Sequence, residues 1–269
     1  MHEQARTLSH LDLFSGIGGF SLAAKWTGGI KTTQFVEIDP WCRKVLAQNF
    51  KGVPIHDDIA AFTSQPGQFD LFTAGFPCQD ISESGSQKGI KEDTRSGLFF
   101  EIIRLICECR PRYVLLENVA ALLSSNGGSD MGTVLWELSQ IGYDAEWQVI
   151  SANSLGANHI RERLWIIAYP NSIGQCVQER DKHKDVQKWG LLPKNDTKGK
   201  ECGKAYICSG LSKSPRSSDI PNLPRRDDGL PGGVDVRQRL KALGNSIVPH
   251  CAEIPLRRIL EIERQLCAI

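Results

Sequence analysis

No stretch of the 269-residue sequence approaches the roughly 18 to 20 consecutive apolar residues of a membrane span. The N-terminus, MHEQARTLSH, also lacks the apolar run of a signal peptide, so the cytoplasm is the expected compartment. No internal repeat is present, and the formal net charge is only +1. With 41% hydrophobic and 23% charged residues, the composition excludes disordered and fibrous chains and is enough to bury a sizeable core. Cysteine is the exception to this plainness. Nine are present, but an odd count without an export signal argues for reduced thiols, most of them small core residues, rather than a disulfide framework.

The small net charge hides an asymmetry. Residues 1–170 hold 14 Lys and Arg against 19 Asp and Glu, whereas residues 171–269 hold 18 against 12, a balance of -5 followed by +6. A neutral or acidic body joined to a segment that meets a polyanion fits this split, as does a solvated basic face. Through the first 170 residues, short apolar runs alternate with amphipathic ones: LSHLDLF, FSLAAKW, TTQFVEI, WCRKVLAQNF, FDLFTAG, LFFEIIRLICEC, RYVLLENV, MGTVLWELSQIG, EWQVISA and RLWIIAY. This predicts an α/β fold with a doubly wound, mostly parallel sheet, its last two strands pairing as neighbours. Residues 171–235 lose periodicity and are rich in Lys, Gly, Ser, Pro and Asp, which predicts a smaller, loop-rich second domain. Helical spacing returns in VRQRLKALG and AEIPLRRILEIERQL. The expected catalytic domain is therefore 1–170 with 236–269.

Four segments carry chemistry. In DLFSGIGGF a strand runs into Gly16, Gly18 and Gly19 before a helix, a turn whose backbone can approach an anionic ligand, although Ser21 stands where a dinucleotide fingerprint has its third glycine. Glu37 follows Gly16 by 21 residues at the next strand's end, where a carboxylate accepts from ribose hydroxyls; Asp58, after a third apolar run, is placed to hold an adenine amino group. In AGFPCQD a buried strand delivers Pro77 and Cys78 to a loop at the ligand-binding edge, a setting that can favour a nucleophilic thiolate. In RYVLLENV, Glu117 ends a strand, where burial demands either a cation or a proton. In GANHIRERLWIIA, Arg161 and Arg163 face one side, and Arg163 can pair with Glu117 across neighbouring strands. Cys176, His183, Cys202 and Cys208 match no zinc-ligand spacing, so no metal is expected.

In this order, FSGIGG, a strand-end Glu, GFPCQ, ENV, a paired-Arg segment and RLKALGNSIVP resemble the bacterial and phage DNA cytosine-5 methyltransferases over roughly residues 8–170 and 225–258. The usual Gln-x-Arg-x-Arg appears as His159-Ile160-Arg161-Glu162-Arg163, and the variable segment is short. The resemblance implies an S-adenosylmethionine-dependent methyltransferase fold with a DNA-recognition domain at 171–235. The implied reaction is methyl transfer from S-adenosylmethionine to carbon 5 of a flipped cytosine in double-stranded DNA. The resemblance further implies catalytic roles for Cys78, Glu117, Asn118, Arg161 and Arg163, and a cofactor pocket of Phe14, Gly16, Gly18, Gly19, Glu37, Ile38, Asp58, Ile59, Pro77, Leu98 and Asn245. Gln79, Ser82, Lys88, Lys91, Arg95, Arg225 and Arg226 are the expected DNA contacts, with Arg237, Arg239 and Lys241 adding basic ground and Gly85, Gly89 and Gly97 as hinges. A monomer and a cognate restriction endonuclease partner are expected. Methylation of tRNA and a DNA-binding relative without catalysis are the alternatives. A nicotinamide-dependent oxidoreductase would share the Gly-rich turn and Glu37 but gives no reason for Cys78.

Overall fold

Leu8, Leu11 and Leu13 carry strand β1 (Leu8–Leu13) through the molecule with no exposed surface, as a strand covered on both faces requires. The structure is a computed structural model that describes residues 6–76, 98–174 and 234–267. After β1 come helix α1 (Gly19–Thr27), strand β2 (Ile30–Val36), helix α2 (Pro40–Asn49), the short strand β3 (Ile55–His56) and strand β4 (Leu71–Gly75). Helix α3 (Leu98–Cys109), strand β5 (Tyr113–Val119), helix α4 (Ser129–Gln140) and strands β6 (Tyr143–Ser151) and β7 (Glu162–Pro170) follow. Helices α5 (Val234–Asn245) and α6 (Pro249–Cys267) close the described chain.

The seven strands among the described residues form one sheet in the order β3-β2-β1-β4-β5-β7-β6. The first five in that order are parallel, and β7 runs antiparallel to both β5 and β6. Alternate residues feed two cores. Val114 and Leu116 of β5 pack with Phe99 and Ile102 of α3 and Val134 and Leu138 of α4; Tyr113 and Leu115 pack with Phe20 and Ala24 of α1 and Leu256 and Ile259 of α6. Burying each large apolar side chain contributes about 1.5–3 kcal/mol. The fold is thus the α/β, doubly wound, mostly parallel arrangement that the alternating runs predict.

The last two strands do pair, but β7 is inserted between β5 and β6. The reason lies in their patterns. Leu164 to Tyr169 form an unbroken buried run, whereas β6 leaves Trp147 and Val149 exposed, so β6 serves as the edge. The chain's far end returns to the sheet through Glu263 of α6, which accepts from Tyr113 Oη at 2.7 Å and from Arg112 Nη2 at 2.8 Å at the start of β5. Of the segment 171–235, residues 175–233 lie outside the described residues. Among the described cysteines, Cys42, Cys109 and Cys251 are buried free thiols, while Cys107 and Cys267 are exposed rather than core residues.

Candidate active site

Strand order reverses between β1 and β4, and the carboxyl ends of those strands flank the crevice where such sheets bind ligands. The turn after β1 holds Phe14 at φ 52°, Gly16 at φ 54° and Gly18 at φ 89°. Left-handed backbone at Phe14 is strained, and strain of this kind concentrates at functional turns. The glycines have different reasons. A Cβ at Gly16 would meet nothing within 4 Å, so this side of the turn is open. A Cβ at Gly18 would lie 2.5 Å from Phe50 Cε2, and one at Gly19 would lie 2.8 Å from the Ile247 carbonyl oxygen. Packing against the Ile247 backbone, which the sequence did not reveal, therefore demands Gly19, while left-handed backbone with Phe50 alongside favours glycine at Gly18.

Glu37, just past β2, is buried and braces this turn. Its Oε2 accepts from the Gly16 amide at 2.6 Å and its Oε1 from the Asp39 amide at 2.8 Å, which leaves each oxygen a further lone pair. The next side chain, Ile38, is 73% exposed. Asp58 is exposed at the end of β3, beside Glu37, whose amide donates to His56 O at 2.9 Å. Ile59 is buried in the α3-side core, and Leu98, at the start of α3, is half-buried against the same core. Asn245 is exposed at the end of α5; one turn earlier, Lys241 pairs with Asp39 at 3.5 Å. Lys241 thus belongs to the Glu37 edge rather than only to a basic nucleic-acid face.

Glu117 lies on β5 in register with Gly75 on β4. Its Oε1 sits 3.0 Å from Arg163 Nε, the cross-strand pair anticipated from the spacing. Burial pushes the carboxyl pKa up to about 7, against the opposing pull of Arg163 and Arg161, so a cation and a readily held proton are present together. Asn118 is buried; its Oδ1 accepts from the Val119 amide at 2.8 Å, and its Nδ2 has no partner among the described residues. Arg161 differs from the paired-Arg expectation. Its Nη1 and Nη2 donate to Gly244 O at 2.8 Å and Ser246 O at 2.9 Å, so it fastens the C-terminal segment and reaches Glu117 only through its charge. His159 is exposed, as is Ile160.

Cys78, Pro77, Gln79, Ser82, Lys88, Lys91 and Arg95 lie outside the described residues, as do Gly85, Gly89, Gly97, Arg225, Arg226, Cys176, His183, Cys202 and Cys208. The side chains of Arg237 and Arg239 are likewise not described. Strand β4 ends at Gly75, beside Glu117, and is followed by the buried Phe76, two residues before Cys78 in sequence. Among the described residues no group of three or more His, Cys, Asp or Glu is placed to hold a metal.

The sequence profile of the C-5 cytosine-specific DNA methylases matches residues 8–209, a span that includes all seven strands, the Gly turn, Glu37, Glu117 and Arg163. The chain belongs to the C-5 cytosine-specific DNA methylase family. Among relatives, Type II methyltransferase M2.BsuMI of Bacillus subtilis (strain 168) is 39% identical over 163 residues, covering 59% of this chain and 41% of the relative. Type II methyltransferase M.HhaI of Haemophilus parahaemolyticus is 34% identical over 171 residues, covering 64% and 52%. The chain spans about half the length of the curated relatives it matches. The crystal structure of a prophage-encoded DNA modification methyltransferase of E. coli superposes with a TM-score of 0.53 at 26% identity over 70% of this chain and 51% of that one. The sheet is thus the α/β methyltransferase fold.

Beneath the Gly turn, this family member carries a polar ring that sequence reading missed, because its members look like isolated polar residues in four separate elements. Asp12 Oδ1 and Thr73 Oγ1 are 3.2 Å apart, Thr73 Oγ1 and His10 Nε2 2.7 Å, and His10 Nδ1 and Thr32 Oγ1 2.9 Å. Thr32 Oγ1 donates to Ser21 Oγ at 2.9 Å, which donates to Asp12 Oδ2 at 2.6 Å and closes the ring. Five bonds need five protons, and three hydroxyls with a neutral imidazole supply four. The fifth belongs to Asp12 or His10. Burial lowers the His10 pKa to about 3 and raises that of Asp12 to about 7 despite the Ser21 and Thr73 bonds, with Glu37 adding to the rise, so the proton rests on Asp12. Asp12 costs stability as pH rises from its ordinary value of 3.8 towards about 7, because over that interval the unfolded state ionises while the folded state keeps its proton. Asp12→Asn should therefore gain unfolding free energy relative to the wild type across that interval, and denaturant titrations at several pH values will measure it. A difference that does not change with pH would contradict the uncharged ring.

Proposed function

We propose that the chain transfers a methyl group from S-adenosylmethionine to carbon 5 of a cytosine within a specific double-stranded DNA sequence. The observation that carries the reading is the ion pair of buried Glu117 with half-buried Arg163 beside the carboxyl end of β4, after which Pro77 and Cys78 follow in sequence. Carbon 5 of cytosine is a poor nucleophile until the ring is made electron-rich. The Cys78 thiolate would add to carbon 6 while Glu117 donates a proton to nitrogen 3, which moves electron density onto carbon 5. With Oε1 held by Arg163, Oε2 is the oxygen left to carry that proton. Bound S-adenosylmethionine supplies the electrophilic methyl group. Once carbon 5 has taken that methyl, a solvent water would accept the carbon 5 proton, which restores the double bond and expels the thiolate, and the nitrogen 3 proton would return to Glu117. Arg163 would also hold oxygen 2 of the base, Arg161 would seat the C-terminal segment, and Asn118 would support the Cys78 loop.

The base must leave the stack to be reached, at a cost of a few kcal/mol. Gln79, Ser82, Lys88, Arg95, Arg225 and Arg226 are the proposed contacts to the gap and to phosphates, and residues 171–235 the proposed target-recognition domain on a catalytic domain of 1–170 and 236–269. No described helix is long and apolar enough to cross a membrane. A cytoplasmic monomer with a companion restriction endonuclease is the proposed setting, the last supported by the Type II relatives.

The residues present suit an adenosine-bearing cofactor: an open backbone turn at Gly16, a carboxylate with spare lone pairs at Glu37 and an exposed apolar side chain at Ile38. Phe14, Gly18, Gly19, Asp58, Ile59, Pro77, Leu98 and Asn245 complete the proposed pocket. Glu37→Ala would lose the ribose bonds and the Gly16 brace, each charge-assisted bond being worth about 1.5–3 kcal/mol. Cofactor affinity should drop by one to two orders of magnitude, whereas turnover at saturating cofactor should largely recover. Failure to recover would make Glu37 structural or catalytic and overturn the ribose assignment. The function itself is tested with methyl-labelled S-adenosylmethionine, duplex DNA and tRNA. Label in DNA cytosine is expected, and bisulfite sequencing of DNA from expressing cells will give the target. Label in tRNA alone, or in neither, would overturn the proposal.

A further inference from the structure

Two glycines, one opening helix α1 and one ending strand β4, leave their side-chain space to one residue far along the chain. A Cβ on Gly19, at the start of α1, would meet Ile247 O at 2.8 Å and Ile247 Cβ at 2.9 Å. A Cβ on Gly75, at the end of β4, would meet Ile247 Cδ1 at 3.1 Å and Glu117 Oε2 at 3.4 Å. Ile247 therefore packs beside the proposed cofactor turn and against the end of the strand that precedes Cys78, where the Glu117 oxygen that Arg163 leaves free is the other near neighbour of Gly75. The segment is anchored immediately before it, where Arg161 donates to the carbonyls of Gly244 and Ser246. Arg161 Nε is buried without a partner among the described residues, so the guanidinium forgoes a bond to hold this position.

We infer that Ile247 is a positioning residue for the proposed methyl transfer, a wedge that sets the distance between the Gly19 turn and the Glu117 carboxyl. The inference rests on the reaction assigned above. Its geometry is asymmetric, and that makes it testable. The contact to Gly75 involves the Cδ1 tip of Ile247, which valine lacks; the contacts to Gly19 involve backbone and Cβ, which valine keeps.

Gly75→Ala should crowd both Ile247 and Glu117 and lower turnover about tenfold, because small misplacements at a reacting centre are costly, with S-adenosylmethionine affinity nearly unchanged. Adding Ile247→Val should restore most of that turnover, since the closest remaining neighbour of the new methyl is Glu117 Oε2 at 3.4 Å. Gly19→Ala should instead weaken S-adenosylmethionine binding, and Ile247→Val should not rescue it. Calorimetric affinity for S-adenosylmethionine and thermal midpoints are measured beside turnover for every variant. Should Gly75→Ala fail to fold, Ile247→Ala, which only removes atoms, is expected to lower turnover about tenfold with S-adenosylmethionine affinity nearly unchanged. The wedge is overturned if folded Gly75→Ala is as active as the wild type, if the double variant is no better than Gly75→Ala, or if Ile247→Val rescues both glycine variants alike. Wild-type turnover in Ile247→Ala would overturn it too. A wild type that transfers no methyl sinks the reaction and the wedge together, an outcome distinct from an active wild type whose swap is not rescued.

Discussion

Glu117→Gln is expected to cut methyl transfer by about 10²- to 10⁴-fold, the usual worth of a positioned general acid. Glutamine matches the size of glutamate and its carbonyl can still accept from Arg163, but its amide cannot surrender a proton to nitrogen 3. Because burial pushes Glu117 up to about pH 7, the wild-type rate should decline as pH rises through that value and the acid form is lost. That alkaline limb should be missing from the residual activity of the variant. Stability should move the other way. A carboxyl whose folded pKa is raised above its ordinary value of 4.5 costs stability as pH rises from there towards about 7, so the glutamine variant should be at least as stable as the wild type at pH 8. Near-normal turnover, or a rate loss accompanied by a collapse in thermal midpoint, would show that Glu117 is not the acid.

Cys78→Ser should abolish transfer while leaving S-adenosylmethionine binding intact, because a hydroxyl fills similar space but is a far weaker nucleophile at neutral pH. A duplex carrying 5-fluorocytosine at the target provides the direct readout. Fluorine cannot leave as the carbon 5 proton does, so the wild type should accumulate as an adduct that survives denaturation, and the serine variant should form none. In the glutamine variant at Glu117 the adduct should form slowly, since addition to carbon 6 would proceed without protonation at nitrogen 3. Retention of more than a few per cent of the activity by the serine variant would remove the covalent route.

Much of this molecule follows from local pattern. Runs of period two and of period 3.6 are set by neighbours along the chain, so the alternation of strands and helices, the Gly turn and the carboxylates Glu37 and Glu117 were legible in the sequence, although β5 runs two residues past Glu117 to Val119. So was the contrast between unbroken RLWIIAY and half-polar EWQVISA, although that β7 lies inside β6 was not drawn from it. Other features depend on which faces meet, and local spacing carries no record of that. Arg161 and Arg163 look equivalent two residues apart, yet one clamps Glu117 and the other holds the carbonyls of Gly244 and Ser246 more than 80 residues away. Gly18 and Gly19 look like ligand glycines until Phe50 and Ile247 are seen to occupy their side-chain space. His10, Asp12, Ser21, Thr32 and Thr73 become one proton-sharing ring only when β1, β2, β4 and α1 are packed, because a buried polar group must find its partner through space. Composition and period determined the fold class and the residue types at the strand ends. Tertiary packing decided what each of them touches, since hydrogen bonds and contacts are set by distances of a few ångströms that sequence separation does not encode.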